Sequence, residues 1–155
     1  MPSSLIIRPL DPKDREALAA AFERLGQQSR YRRFLSAVPR LTDAQLRYLT
    51  EVDQRDHVAL VAVADGDIIG VARFVRLDGS DAEPAIAVID QWQGSGIGTA
   101  LMAALADRAR DQGVKRYRAT VLAENEAMLR LLAGAGDLRY TAAGPEIQAT
   151  VELAT

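Results

Sequence analysis

The segment Gln93-Gly94-Ser95-Gly96-Ile97-Gly98-Thr99 constrains the fold of this chain more than any other part. It separates the apolar run of residues 84–89 from an amphipathic stretch, Ile97–Asp111, in which apolar residues recur at helical spacing. This order predicts a buried strand, a glycine-rich loop and a helix. Because residues 117–122 again have the pattern of a strand, we expect a right-handed crossover between two parallel strands.

The glycine-rich loop predicts an anion site. Glycine adopts backbone conformations closed to other residues, and successive N–H groups beside the positive end of a helix dipole suit a phosphate or pyrophosphate. A nucleoside-triphosphate loop would need Gly-Lys before Ser or Thr, and the segment has no lysine. A dinucleotide fingerprint would need its third glycine at Thr99 and would normally follow the first strand of the domain. The remaining alternative is a turn that binds nothing, in which three glycines would be a needless entropic cost.

The rest of the chain predicts a single domain over residues 1–155. Asp65-Gly66 joins two β-branched runs as an antiparallel hairpin, so the mixed α/β sheet should be antiparallel on its N-terminal side and parallel at its centre. The expected strands are residues 5–8, 58–64, 68–75, 84–89, 117–122, 138–142 and 147–153, and the 84–89 strand should be covered on both faces. Four to five helices are expected: from the Asp11 cap to a stop at Gly26, over 29–34, from the Thr42 cap through 49, over 97–111, and from the Asn125 cap through 133.

Composition excludes several classes of protein. The chain has 155 residues and a formal net charge of -2, which gives no global attraction to nucleic acid or to an anionic membrane. It has no cysteine, which excludes disulfides, thiolate nucleophiles and cysteine-ligated metals, and we expect no metal site. The N-terminal apolar run is too short for a signal peptide, and no stretch approaches the roughly 18 apolar residues of a membrane span. We therefore expect a cytoplasmic protein.

Gln93, Gly96 and Gly98 resemble, in register, the CoA pyrophosphate loop of the GNAT superfamily of N-acetyltransferases, which is Gln or Arg, two residues, Gly, one residue, and Gly or Ala. Val88 resembles the strand position whose backbone contacts pantetheine, and Asn125 resembles the helix-capping asparagine, which implies a CoA contact beside its capping role. The resemblance covers roughly residues 58–140. It implies a GNAT-type mixed sheet and acetyl-CoA as cosubstrate. The implied cofactor-binding residues are Val88, Ile89, Gln93, Gly94, Ser95, Gly96, Ile97, Gly98, Thr99 and Asn125.

Residues 56–62, 68–74 and 82–85 resemble, more narrowly, the catalytic domain of bacterial protein lysine acetyltransferases. This likeness implies a CoA thioester and a protein lysine as partners, in a monomer or a homodimer. Two alternatives stay open. The first is an acetyltransferase for small amines such as polyamines, amino acids or antibiotics, and the second is an acyl-CoA-binding sensor without catalysis.

Direct transfer of an acetyl group requires a neutral amine. A lysine amine has a pKa near 10.4, so its neutralisation at pH 7 costs about 4.6 kcal/mol. Glu83 is the candidate general base, and the alternative is a solvated turn carboxylate. The main chain near Val88 and Ile89 should donate to the oxyanion. Many relatives place a tyrosine, as general acid, where this chain has Leu132, so Tyr140, water or unaided departure of the thiolate must serve.

Two further features each have two interpretations. Residues 29–34 contain three arginines and a tyrosine, which predicts either a surface for an acidic partner or a solvated helix face. His57 is the single histidine, and it precedes a predicted strand beside the active-site face. Its reading is either structural or catalytic.

Overall fold

The computed structural model describes residues 5–34 and 40–154 and contains one seven-stranded sheet. The strands are β1 (Leu5–Pro9), β2 (His57–Ala64), β3 (Asp67–Arg76), β4 (Asp81–Val88), β5 (Arg116–Leu122), β6 (Gly136–Ala143) and β7 (Glu146–Leu153). They lie in the order β1-β2-β3-β4-β5-β7-β6. Only the β4–β5 pair is parallel. The predicted antiparallel N-terminal strands and parallel central pair are therefore confirmed.

Within the described residues, five α-helices flank the sheet, as the sequence predicts. They are α1 (Arg15–Glu23), α2 (Gln27–Phe34), α3 (Asp43–Thr50), α4 (Ile97–Asp111) and α5 (Glu126–Ala135). A Cβ at Gly70 would meet Leu101 and Ile97 of α4, whereas the next residue, Val71, lines a cavity with α1. Because successive strand residues point to opposite faces, α1 and α4 cover opposite faces of the sheet.

The first helix differs from the prediction at both ends. Asp11 caps a short 3-10 turn, Pro12–Asp14, and the α-helix begins only at Arg15. The helix ends at Glu23, three residues before Gly26, so the role of Gly26 as a stop is wrong. Gly26 is needed for a close approach instead, because a Cβ there would lie 2.5 Å from Oδ2 of Asp90.

The Thr42 cap and the Asp65-Gly66 turn are confirmed, whereas the strand predicted over residues 84–89 lies at Asp81–Val88. Thr42 and Gln45 exchange capping hydrogen bonds of 3.1 and 2.8 Å at the start of α3. Asp65 and Gly66 have φ angles of 52° and 87°, as a tight turn between β2 and β3 requires. Among the described residues, no helix is both long and apolar enough to span a membrane. Residues 1–4 lie outside the described part, so the expectation about the N-terminal run stays a prediction.

The central strands separate and open a groove. β4 pairs with β5 only at Asp81–Arg116 and Ala82–Tyr117, whereas its pairing with β3 continues to Val88. Beyond Ala82 the groove reaches a volume of about 780 Å³, with α4 and α5 contributing to its walls. The prediction that this strand is covered on both faces is therefore wrong, because Glu83 is exposed and residues 85–88 are only partly buried.

Candidate active site

The start of α4 presents a row of unsatisfied backbone donors to the groove. The Gln93 N–H donates to the Asp90 carbonyl, and the Ala100 N–H donates to the Gly96 carbonyl. Between them, none of the six N–H groups of residues 94–99 donates to an acceptor in the described part of the chain. No side chain caps the helix. Such amides at a helix N-terminus bind anions, and here they lie at the edge of the groove.

The glycines give the loop its shape. Gly94 and Gly96 have φ angles of 77° and 89°, which an L-residue adopts only with strain. Gly98 has no such requirement, since it lies inside α4, and it also lines the groove. The Ser95 hydroxyl donates to the Trp92 carbonyl and so pins the loop. Two further predicted residues differ in exposure: Thr99 lines the groove, whereas Ile97 is buried in the core and does not line it.

The two backbone N–H groups predicted to donate to the oxyanion, those of Val88 and Ile89, differ in whether they already have an acceptor. The Ile89 N–H donates to the Ile69 carbonyl at 2.9 Å, so it is not free to hold an oxyanion, and that part of the expectation is wrong. Because consecutive N–H groups of a strand point to opposite edges, the Val88 N–H points away from β3 and into the groove. By the same alternation the Ile86 N–H also points away from β3, so β4 offers the groove two backbone donors, at Ile86 and at Val88.

The Gln93 side chain forms hydrogen bonds with other residues of the protein. Its Nε2 donates to the Val88 carbonyl at 2.9 Å and to the Ser29 hydroxyl at 3.1 Å. Asp90 completes the network, because its carboxylate accepts from the Gly26 N–H at 3.1 Å and from the Ser29 hydroxyl at 2.8 Å. This network ties α2 to the glycine loop. Sequence reasoning missed it, since Ser29 and Asp90 are 61 residues apart and neither has a recognisable motif.

The candidates for a general acid do not reach the groove. Leu132 is fully buried, so the position of the family's tyrosine points into the core. Tyr140 is exposed on the edge strand β6 and does not line the groove. Asn125 does line it, and its Oδ1 accepts from the Met128 N–H at 3.2 Å, as a helix cap should. Among the described residues, no tyrosine lines the groove.

Glu83 lies on the sheet face opposite α4. In the ladder Val75 is opposite both His57 and Glu83, and residues opposite each other share a face. Burial lowers the pKa of the Arg33 guanidinium of α2, and the Glu83 carboxylate opposes this effect. The sequence placed Glu83 at the strand entrance, and the structure adds the cationic neighbour.

Arg73, which is buried, contacts the half-buried His57 on the same face as Glu83. Nη1 of Arg73 donates to the Leu49 carbonyl at 2.9 Å and contacts Nε2 of His57 at 3.0 Å. Since arginine has no acceptor, this nitrogen of His57 accepts the hydrogen bond and the ring is neutral. Burial and the charge of Arg73 lower the pKa of His57 to about 4. A neutral, bonded histidine favours the structural reading of this residue.

The comparison with protein families agrees with this geometry. A family model described as the acetyltransferase (GNAT) family matches residues 15–136. The fold is the mixed sheet of that family, with its central strands parted above a helix N-terminus. The chain belongs to the GNAT family of acetyltransferases, and the prediction of a GNAT-type N-acyltransferase is confirmed at the level of the family.

Curated relatives place the chain more narrowly. It is 42% identical over 130 residues to the acetyltransferase Pat of Mycolicibacterium smegmatis, which covers 81% of this chain and 39% of that protein. It is also 31% identical over 137 residues to an acetyltransferase of Pseudomonas aeruginosa, covering 85% of this chain and 74% of the relative. The chain thus spans well under half the length of Pat, and most of the length of the second relative.

Solved structures of acetyltransferases and acyltransferases have the same fold. The GNAT domain of the Streptomyces lividans protein named PAT superposes with a TM-score of 0.88 at 29% identity, covering 95% of this chain and 89% of that one. A cAMP-binding acyltransferase from Mycobacterium smegmatis gives a TM-score of 0.67 at 35% identity, covering 97% of this chain and 44% of that one. An acetyltransferase from Salmonella typhimurium, solved with acetyl-CoA, is 20% identical, which supports the fold alone.

Proposed function

We propose that this chain transfers the acetyl group of acetyl-CoA to the side-chain amine of a protein lysine. The observation that carries the proposal is the row of free N–H groups at residues 94–99, which opens onto the groove between β4 and β5. A CoA pyrophosphate on these amides would direct the pantetheine arm along β4 to the Val88 N–H. That N–H then holds the oxyanion as the amine attacks the thioester.

The acceptor enters from the side of Glu83. This carboxylate is exposed on the face opposite α4, where the surface of another protein can reach it. Glu83 takes a proton from the lysine ammonium, directly or through one water, and the neutral amine attacks. The resemblance of the chain to bacterial protein lysine acetyltransferases supports a lysine acceptor. The open position of Glu83 fits such a bulky substrate better than an enclosed pocket would.

The leaving thiolate needs no tyrosine in this proposal. The groove has none among its described residues, and Leu132 is buried. A thiol has a pKa near 8.5, so a thiolate is an acceptable leaving group at neutral pH. It takes up, through water, the proton that the attacking nitrogen releases as the amide forms.

Calorimetry with acetyl-CoA tests the cofactor site. We expect a measurable heat of association with the purified protein. The absence of any heat with CoA or acetyl-CoA at millimolar concentration would remove the basis of the proposal.

The Glu83→Gln variant tests the base. We expect kcat with a lysine peptide to fall about 100-fold or more, because general-base catalysis contributes about 10²- to 10⁴-fold, while the affinity for acetyl-CoA is kept. The deficit should shrink as the pH rises toward the amine pKa near 10.4, since neutral amine then forms without help. Glu16→Gln, an exposed glutamate on α1, is the matched control. Full turnover by Glu83→Gln would rule out this assignment.

A further inference from the structure

A second, smaller cavity adjoins the groove near the proposed reacting centre. Its volume is about 50 Å³, and it shares Leu25, Arg33 and Ala87 with the lining of the groove. Ala87 directly precedes Val88, whose N–H is the proposed oxyanion donor. The cavity walls come from α1, α2, α3, β3 and β4, and among the described residues they are apolar apart from Arg33 and Arg73. Two cations therefore face a small, otherwise apolar space.

Arg73 keeps unused donors in this space. Its side chain is buried, with 5% of the residue exposed, and its Nη1 makes both of its hydrogen bonds. Within residues 5–34 and 40–154, Nε and Nη2 of Arg73 have no acceptor, and no carboxylate lies within ion-pair distance of the guanidinium. A buried cation that lacks an anionic partner is costly, and the cost falls when an anion binds.

Arg33 offers a second fork of donors at the mouth of the same cavity. It is half-buried on α2, and its guanidinium lies 4.6 Å from the centre of the Phe34 ring. No carboxylate of the described chain pairs with it within 4 Å, although Glu83 acts on it from farther away. Arg33 and Arg73 line the same cavity, and the charge of Arg33 contributes to lowering the pKa of Arg73 after the larger effect of burial.

The local charges do not balance. Arg33 and Arg73 contribute two positive charges, and Glu83 contributes one negative charge. His57 is neutral, and the Asp53 carboxylate beside it acts on the pKa of His57 but on that of neither arginine. When Glu83 accepts a proton from the amine, both positive charges are left without a carboxylate. An anionic group on the acceptor would restore the balance at that step, and the forks of arginine match a carboxylate in geometry.

We propose that Arg33 and Arg73 bind a carboxylate that the acceptor carries close to its reactive amine. This inference rests on the proposed function and adds a substrate class to it. The carboxylate belongs either to an acidic side chain beside a protein lysine or to the α-carboxylate of a free amino acid. The chemistry of recognition is the same for both sources.

Pairs of acceptors that differ by one carboxylate test the inference. The first arm uses lysine peptides of one host sequence with Glu at each position from −3 to +3, each against its Gln counterpart. The second arm compares L-lysine with L-lysinamide. The measured quantity is the ratio of kcat/KM within each pair, from the release of CoA. For wild type we expect a preference of about tenfold for the carboxylate in at least one pair, the size of a charge-assisted contact.

Variants connect the preference to the arginines. Arg33→Met keeps an unbranched apolar stem but removes the guanidinium, so it should bring the ratio of kcat/KM to within about twofold of one. Arg73→Lys keeps the charge but loses the fork, and should lower the ratio less. Arg47→Gln, at an exposed ion pair with Glu51 on α3, is the matched control and should keep the wild-type ratio. Thermal unfolding of each variant verifies that it is folded.

Several outcomes would overturn the inference. If wild type shows a kcat/KM ratio near one in both arms, the inference is wrong, and no variant is needed to show it. The inference is also wrong if folded Arg33→Met keeps the wild-type ratio. A preference seen only when the acyl group carries the carboxylate, with succinyl-CoA against butyryl-CoA, would assign the arginines to the donor. If no acceptor in either arm releases CoA, the acetyltransferase proposal fails and this inference falls with it.

Discussion

Two glycines of the cofactor loop should respond in opposite ways to the same substitution. Gly96 has a φ of 89° and precedes α4, and a Cβ built there meets no atom within 4 Å. The penalty for Gly96→Ala is therefore one of backbone conformation alone. An L-residue with a positive φ of this size costs about 1–2 kcal/mol of conformational free energy, so we expect the free energy of unfolding to fall by about that amount.

Gly98 is only two residues away but lies within the helix. A Cβ there would lie 3.5 Å from Cδ1 of Leu131 and 3.6 Å from Cδ1 of Ile86, which are ordinary contacts. Alanine also loses less entropy than glycine on entering a helix, so Gly98→Ala should stabilise the protein by up to about 1 kcal/mol. The two variants should then differ by about 2 kcal/mol, or about 4–8 °C in Tm for a domain of this size.

Chemical denaturation and calorimetry with CoA measure the two effects together. If the loop of Gly96→Ala relaxes to a negative φ, the amides of residues 94–99 turn away and the penalty appears as weaker binding rather than lower stability. The sum of the losses in unfolding and binding free energy should still reach about 1 kcal/mol. Equal stability and equal affinity for Gly96→Ala and wild type would refute the assignment of this glycine to a strained anion loop.

Two more predictions concern polar contacts on the acceptor side of the sheet and beside the glycine-rich loop. Because the pKa of His57 is lowered to about 4, its stabilisation is present above pH 6.5 and is lost as the pH falls toward 4. Urea titrations at pH 6.5 and 5 should show wild type losing up to about 1.5 kcal/mol more than His57→Gln, and equal losses would contradict the neutral histidine. Asp90→Ala deprives Gly26 and Ser29 of an acceptor, so we expect about 1 kcal/mol lower stability and an acceptor KM that rises more than the Kd for CoA. Unchanged KM in steady-state kinetics would count against the α2 link.

The sequence predicts those parts of the molecule that depend on local chemistry. Residues close in sequence determine four of these features: the helix caps at Thr42 and Asn125, the turn at Asp65 and the start of α4. The extent of β4 was harder to predict, because the exposure of residues 85–88 depends on where β5 leaves the strand. Periodicity within one strand carries no information about the distance to its neighbour.

The cationic neighbours of Glu83 could not be predicted from the sequence, because they depend on how distant segments pack together. Arg73 lies in an apolar run that predicts a strand, and nothing in that run shows that its guanidinium would lie under α3, at the Leu49 carbonyl. The arginine-rich segment 29–34 predicts either a surface for an acidic partner or a solvated helix face. Only the fold places Arg33 of that segment at the junction of two cavities.

The Asp90 network gives the placement of Arg33 a mechanical cause. Asp90 and Gln93 hold Ser29, and Arg33 lies one helical turn further along α2 on the same side. Gln93 belongs to the loop that would hold the CoA pyrophosphate, so a shift of that loop would move α2 as well. The Val88 carbonyl accepts from Gln93, so the same side chain joins the loop, β4 and α2. If this loop holds the CoA pyrophosphate, cofactor binding and the position of Arg33 depend on the same few hydrogen bonds, and the CoA thioester should then bind before the acceptor.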